Sequence, residues 1–392
     1  MGREHMEQEK LAAAPRISRA TVKVKEWFLA APVLHILLVF SSLGLLVFRF
    51  LRSDSHAMGL IVRYIARPYH EAVGAFFSAL PFSVAELCYA AVILAALLYI
   101  VRAVYIIIRS STKILHIYKL ALTLLSTGLT LCLTLNLLWN SLYYSPSFQT
   151  VSGIEGSAIT AEKLRTVAHW FAMLSNSYAE NVERDSNGLY IMDRNSILEQ
   201  SKLLYSETEK EYVTLKGPAL SPKPMIFSDL MSRMGFTGFF FAPTGEANIN
   251  VSSPQCMQPA TIAHELAHQR GISREQEANF IAVMVCLESD SDDFKYSAAL
   301  MAYQYLANAL YKADYHSWQG LTQSLGSKAG MDLDFNREYW RQYESPLSTI
   351  TEAAYSKFLT NQNQSLGIKS YGACVNLLGN FYYEDALAGN IP

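Results

Sequence analysis

The chain has 392 residues, 51% of them hydrophobic and only 17% charged, with a formal net charge of −2 at pH 7. That length suits one large domain or two smaller ones, and the near-neutral balance excludes the basic face of a nucleic-acid binder. The apolar excess crowds into the first 140 positions, as expected of a membrane segment joined to a soluble domain rather than a uniform globule.

Residues 1–27 form a short basic segment. Phe28 to Phe48 then runs for 21 positions without a charge, enough to cross a bilayer. No small-residue cleavage pattern follows, so this is not a signal peptide. Residues 51–83 are expected to form an interfacial loop. Within it, Ala57 to Phe82 is apolar but broken by Arg63, Arg67, Pro68 and Pro81, and it reads as an amphipathic segment on the membrane surface. Val84 to Val101 is a second span, flanked by Glu86 and Arg102, and Leu120 to Trp139 is a third of 20 residues. A three-helix membrane domain is therefore expected over 28–139.

Orientation follows from the positive residues. Ten lie before the first span or between the second and third: Arg3, Lys10, Arg16, Arg19, Lys23, Lys25, Arg102, Arg109, Lys113 and Lys119. The opposite side has Arg49, Arg52, Arg63 and Arg67, and none from Asn140 to Ala161. The N-terminus is thus expected in the cytoplasm of a multi-pass cell-membrane protein, with residues 140–392 outside.

Those residues are long enough to bury a core of their own. Helical periodicity marks 161–182 and 297–313. "TGFFFAPTGEANINVSS" (237–253) is different: it alternates Ala247, Ile249 and Val251 with Asn248 and Asn250 around a Pro-Thr-Gly turn, a strand signal. The five cysteines form no C-x-x-C pair. Cys256, Cys286 and Cys374 allow at most one disulfide, and buried free thiols are the plainer reading.

The chemistry-bearing stretch is "TIAHELAHQRGISREQEANF" (261–280). His264 and His268, four apart, share one helix face and can offer two nitrogens to one zinc ion. Glu265 points off that line and can reach a water in the open position as general base. The H-E-x-x-H pattern alone arises by chance in on the order of one such chain in a hundred, so the residues after it matter. Gly271 suits a helix end, and Ser273 with Gln276 reads as the capping box of a second helix. Glu275, in the first turn of that helix, is the preferred third ligand. Glu277 competes, but it points some 160–200° away around the helix. Asn279, on the Glu275 face, is placed to hydrogen-bond a ligand.

The pattern H-E-x-x-H followed by E-x-x-A-N resembles the glutamate-type zincins. That resemblance implies a Zn2+ cofactor, a peptidase activity and Glu275 as third ligand, with Ala278 and Asn279 completing the motif; asparagine replaces the usual aspartate. The tight Gly271 turn is similar to that of the metzincins, but Arg274 stands where they carry a third histidine. "PFSVAEL", "PTGEANIN", "TIAHELAHQRG" and "REQEANF" together resemble an uncharacterised bacterial family of three-span membrane proteins. The expected fold class is an α-helical membrane segment of three transmembrane helices followed by a mainly α, α+β zincin-like metallopeptidase domain. The strand through Ala247 to Val251 is either the edge that aligns an extended substrate or a plain core strand, with Glu246 and Asn248 facing the cleft in the first case. By chemical type alone, Tyr371 and His316 are candidate transition-state stabilisers. His169 reads as a core histidine.

The expected function is that of a membrane-anchored zinc metallopeptidase, acting on a peptide or protein substrate that is either soluble or held at the lipid bilayer. The alternative is a non-enzymatic sensor or envelope assembly protein whose zinc is structural or absent.

Overall fold

The structure is a computed structural model that describes residues 27–362 and 371–391, excluding the side chains of Tyr371 and Gly372. The chain divides into two compact units. One comprises residues up to 51 together with 90–136, the other residues 52–89 together with 137–392.

Among the described residues, helix α1 (Pro32–Leu51) is the first of three helices long and apolar enough to cross a membrane. It is followed by α2 (Ser55–Ile61), a π turn and α3 (Arg67–Ser78). Next come the second such helix, α4 (Val84–Arg109), and the third, which starts as α5 (Lys113–Leu135) and runs on to Tyr144. In the first unit, α1 packs along α5. Gly44 makes the approach possible, because a Cβ there would lie 2.7 Å from the Leu133 side chain. Ser41 and Thr130 hydrogen-bond across the pair at 2.9 Å, satisfying hydroxyls that lipid could not.

The second unit is mainly helical. Its core is built chiefly from α6 (Ala161–Ala179) and, beyond the short helix α7 (Ser228–Met234), from α8 (Gln258–Gln269), α9 (Glu275–Leu287) and α10 (Asp292–Ala313). Helix α9 is apolar on every face from Ala278 to Leu287, apart from Asn279, and is buried on every face, as that pattern requires. Ala298, Ala299 and Ala302 on α10 are fully buried and let it approach its neighbours closely. Around these pack α11 (Tyr315–Ser324), which adds Leu321 to the core, α12 (Ser327–Gln342), which adds Ala329, α13 (Pro346–Asn361), and α14 (Tyr371–Phe381), whose Cys374, Val375, Leu377 and Leu378 belong to the core.

A three-stranded sheet precedes the site helices: β1 (Lys223–Pro224), β2 (Gly238–Phe241) and β3 (Glu246–Ile249), in the order β1-β3-β2. The strand signal at 237–253 is thus a hairpin. β2 and β3 are antiparallel with Gly238 opposite Ile249 and Phe241 opposite Glu246. β3 is the central, buried strand, so the edge is β2 rather than the Ala247–Val251 segment. Gly245 closes the hairpin at φ +65°, and a Cβ there would lie 2.5 Å from the His70 carbonyl oxygen.

That contact belongs to a larger correction. Residues 52–89, expected within the membrane domain, fold instead as part of the second unit. Arg67 donates to the Thr214 and Lys216 carbonyls, and Tyr69 donates to the Pro243 carbonyl at 2.8 Å. Ser83 donates to Asn248 Oδ1 at 2.6 Å. The described cysteines are all free, so no disulfide joins Cys256, Cys286 and Cys374. His169 lies on the outer face of α6 and is exposed, not a core histidine.

Candidate metal centre

The site stands on the turn between α8 and α9. Helix α8 ends where Gly271 takes φ +90°, a left-handed cap that needs no Cβ. The expected Ser273–Gln276 capping box does not form. Helix α9 starts at Glu275 after Arg274, with no side-chain cap, and Ser273 Oγ and Gln276 Oε1 have no partner. The loop is held differently: Arg274 donates to the Tyr143 and Ser145 carbonyls at 3.0 and 3.2 Å.

This short connection brings Glu275 back against α8. Its carboxylate oxygens lie 3.3 Å from His264 Nε2 and 3.6 Å from His268 Nε2. Three ligands about 2.0–2.2 Å from a tetrahedral ion are about 3.3–3.5 Å apart, so the spacing fits one ion. The two imidazoles meet edge to face with centroids 4.6 Å apart. Among the described residues, this is the one group of three or more His, Cys, Asp or Glu whose ligand atoms converge in this way. His268 Nδ1–H donates to the Ile272 carbonyl at 2.6 Å, which fixes the tautomer and leaves Nε2 free to ligate. Glu277 is not part of the cluster. Its carboxylate accepts from the Phe148 and Gln149 amides at 3.1 Å each, capping the short helix Phe148–Ser152.

Electrostatics follow from burial. It opposes the Glu275 charge, but the two histidines and Tyr355 outweigh it and hold that carboxyl well below its usual range. Burial also opposes a charge on His264, yet hydrogen bonding and attraction to Glu275 raise its pKa. His268 falls to about 4, chiefly by burial, and so stays neutral, as a ligand must. Glu265 rises to about 8, again chiefly by burial. Its Oε2 has no hydrogen-bond partner, a costly condition for a buried carboxyl. A dication held by the cluster would draw the same group back toward ionisation.

A cavity of about 620 Å3 opens beside these groups, lined by the β2 residues Gly238, Phe239 and Phe240, by Trp139 and by Tyr355. Gly238 makes room for the carboxylate, since a Cβ there would fall 2.6 Å from Glu265 Oε1. Trp139 packs edge-on to His268 at 5.6 Å between centroids. Tyr355, on α13, donates to Glu275 Oε1 at 2.6 Å. Tyr305 donates to Asn279 Oδ1 at 3.1 Å, and Asn279 also lines the cavity.

Several expected site residues lie elsewhere. His316 is exposed on α11 and does not line the cavity. Tyr371 begins α14, and its side chain lies outside the described residues. Glu246 and Asn248 do not face the cleft. Glu246 accepts from the Val84 and Ala85 amides at 3.2 and 3.0 Å, and Asn248 is buried against Ser83. The residues that sequence reading missed are Tyr355, Trp139 and the β2 phenylalanines. Tyr355 sits 80 positions from Glu275, so no local spacing pointed to it.

A family model described as "Protein of unknown function (DUF3810)" matches residues 62–379. The chain belongs to this DUF3810 family. The match takes in α3, the sheet, the His–His–Glu cluster and Tyr355, so the two segments that build the second unit are largely one family feature. Comparison with curated proteins and with solved structures found no match.

Proposed function

We propose that this DUF3810 protein is a membrane-anchored zinc metallopeptidase of the glutamate-type zincin kind. The observation that carries the reading is the convergence of His264, His268 and Glu275 at ion-binding separations, with Glu265 buried beside them in one cavity. His264, His268 and Glu275 hold the ion, and Asn279 with Tyr305 steadies the α9 side of the site. When bound, zinc supplies Lewis acidity toward a peptide carbonyl and toward water. Glu265 takes the proton from water and delivers it to the leaving amine. β2 offers an unpaired backbone edge along which an extended peptide can lie. Tyr355 lines the same cavity and steadies Glu275 by donating its O–H to Oε1.

The membrane arrangement supports a site on one side only. Residues 52–89 and 137–392 fold together, which requires the segments after the first and third spans to share a side. Three crossings satisfy that condition. The positive-residue bias then places the site outside the cytoplasm.

Zinc content and peptide cleavage of the full chain in detergent test this together. About one zinc per chain is expected in the wild type and in Glu265→Gln, and none in His264→Ala. Only the wild type should cleave a peptide library. Well-folded wild-type protein that stays zinc-free after zinc is added back sinks the reading. Zinc binding with equal phenotypes for wild type and Glu265→Gln leaves a structural metal instead.

A further inference from the structure

Glu86 is the third residue of a helix that is long and apolar enough to span a membrane, yet it is buried. A carboxylate there needs compensation. It finds it in the soluble part of the chain, accepting from the Ile226 amide at 3.0 Å and the Phe227 amide at 2.8 Å. The loop so held is not covered. Ile226 is 74% exposed, Phe227 59% and, in the first turn of α7, Leu230 50%. Spaced i, i+1 and i+4, they form one apolar knob at the first turn of α4. Leu87 and Tyr89, on the next turn of α4, are exposed as well. Tyr89 also meets Phe241 of β2, with centroids 5.0 Å apart.

The level of this knob follows from helix length. At 1.5 Å per residue, the 26 residues of α4 extend about 39 Å, against about 30 Å for a hydrocarbon core. Counting back about 20 residues from Arg102, the first charge that follows the apolar run, places the core boundary near the start of α4 at Ser83 and Val84. The knob thus lies at the depth where amphipathic elements rest, about 5–10 Å into the boundary between headgroups and acyl chains. Its nearby charges suit that shallow depth. Asp229 and Arg233 are paired at 2.8 Å, and Asp229 also accepts from Tyr343. Lys223 donates to the Ser78 and Leu80 carbonyls.

We propose that Ile226, Phe227 and Leu230 are immersed in the bilayer at the level of the first turn of α4, as a lipid-contacting foot of the second unit. The occupant of this apolar face is lipid, because the face is fastened through Glu86 to the first turn of a membrane-length helix, where Leu87 and Tyr89 are exposed as well. The inference needs no catalytic activity and stands apart from the peptidase reading.

The test uses the full chain in nanodiscs, with Cys88→Ser and Cys132→Ala removing the accessible thiols. A fluorophore is attached at Ile226→Cys or, separately, at Leu230→Cys. Reporters at Leu87→Cys and Lys210→Cys mark the span and the aqueous surface. Phospholipids brominated near the top of the acyl chains serve as quenchers. Both foot reporters should lose more than half as much emission as the one at Leu87, with no loss at Lys210. Foot reporters that behave like Lys210 overturn the proposal, whether the face then proves to be bare or covered by another protein. So does a set in which Leu87 is also unquenched. The two foot positions are exposed, so a fault in one labelled variant leaves the other as an independent reading.

Discussion

At the residue scale, two glycine-sized and phenol-sized details decide how the cluster works. Gly238 leaves space for Glu265, and an added Cβ would also lie 2.9 Å from the Asn248 carbonyl oxygen. Gly238→Ala should therefore displace Glu265 and abolish cleavage while zinc stays bound, at a stability cost of about 1–3 kcal/mol. Metal content beside peptide turnover checks it, and a variant that folds and stays active would show that Glu265 has slack. Tyr355→Phe removes the hydrogen bond that orients Glu275. It should weaken zinc binding about tenfold in a chelator competition, with the fold kept. A third residue acts away from the cluster. His70 is buried, neither ring nitrogen has a partner, and burial lowers its pKa to about 4. The folded state keeps it neutral, whereas the unfolded chain protonates it near 6.5. Its contribution is complete above about pH 6.5 and is lost as pH falls toward 4, by about 3 kcal/mol. Unfolding midpoints across that range should fall more steeply in the wild type than in His70→Leu; parallel curves would remove His70 from the account. His264, Glu265 and His268 were legible because four-residue helical spacing carries them. Tyr355, Gly238 and His70 were not, because each acts through a neighbour distant in sequence.

At the element scale, the second span and the sheet hold each other by exchanged caps. Glu246 of β3 accepts from the first amides of α4, while Glu86 of α4 accepts from the loop that follows β1. The first four amides of a helix lack internal partners, and a carboxylate there also meets the positive end of the helix dipole. Glu246→Ala should cost about 1–3 kcal/mol, because it orphans two buried donors. A lowered thermal midpoint of the purified full chain would register the loss, and an unchanged midpoint would mean that water replaces the carboxylate. This pairing explains why the segment 51–83 misleads as sequence. Its apolar residues and prolines fit a membrane-surface element, and only long-range partners such as Asn248 and Pro243 reveal that it packs into the second unit. The hairpin was half legible for a similar reason. Alternation marked β3, but strand order depends on pairing, and the edge passed to the Phe-rich β2. The capping box failed at the same scale, since Arg274 is tied to Tyr143 and Ser145 and the helix starts one residue later than a Ser273 cap requires.

At the scale of the whole molecule, one fold built from two segments constrains topology more tightly than hydropathy does. Each apolar run argues only that a helix is long enough to cross. The shared unit of 52–89 and 137–392 adds that both segments emerge on one side. An even number of crossings between them is then required, and α4 and α5 are long and apolar enough to provide two. Which side that is rests on charge alone: next to the spans, ten Lys and Arg lie on the N-terminal side against four in the segments that flank them opposite. Impermeant thiol labelling of intact cells resolves it, again with Cys88→Ser and Cys132→Ala as background. Ser55→Cys and Lys210→Cys, one from each segment of the unit, should be labelled from outside. Ser111→Cys, in the turn between α4 and α5, should react only after the cells are opened. Labelling of Ser55 without Lys210 would break the three-span count itself. Labelling of Ser111 alone would keep the count and turn the molecule over, placing the His–His–Glu cluster in the cytoplasm. Its ligands and cavity would be unchanged in that case, but its substrates would be drawn from the inner face of the membrane.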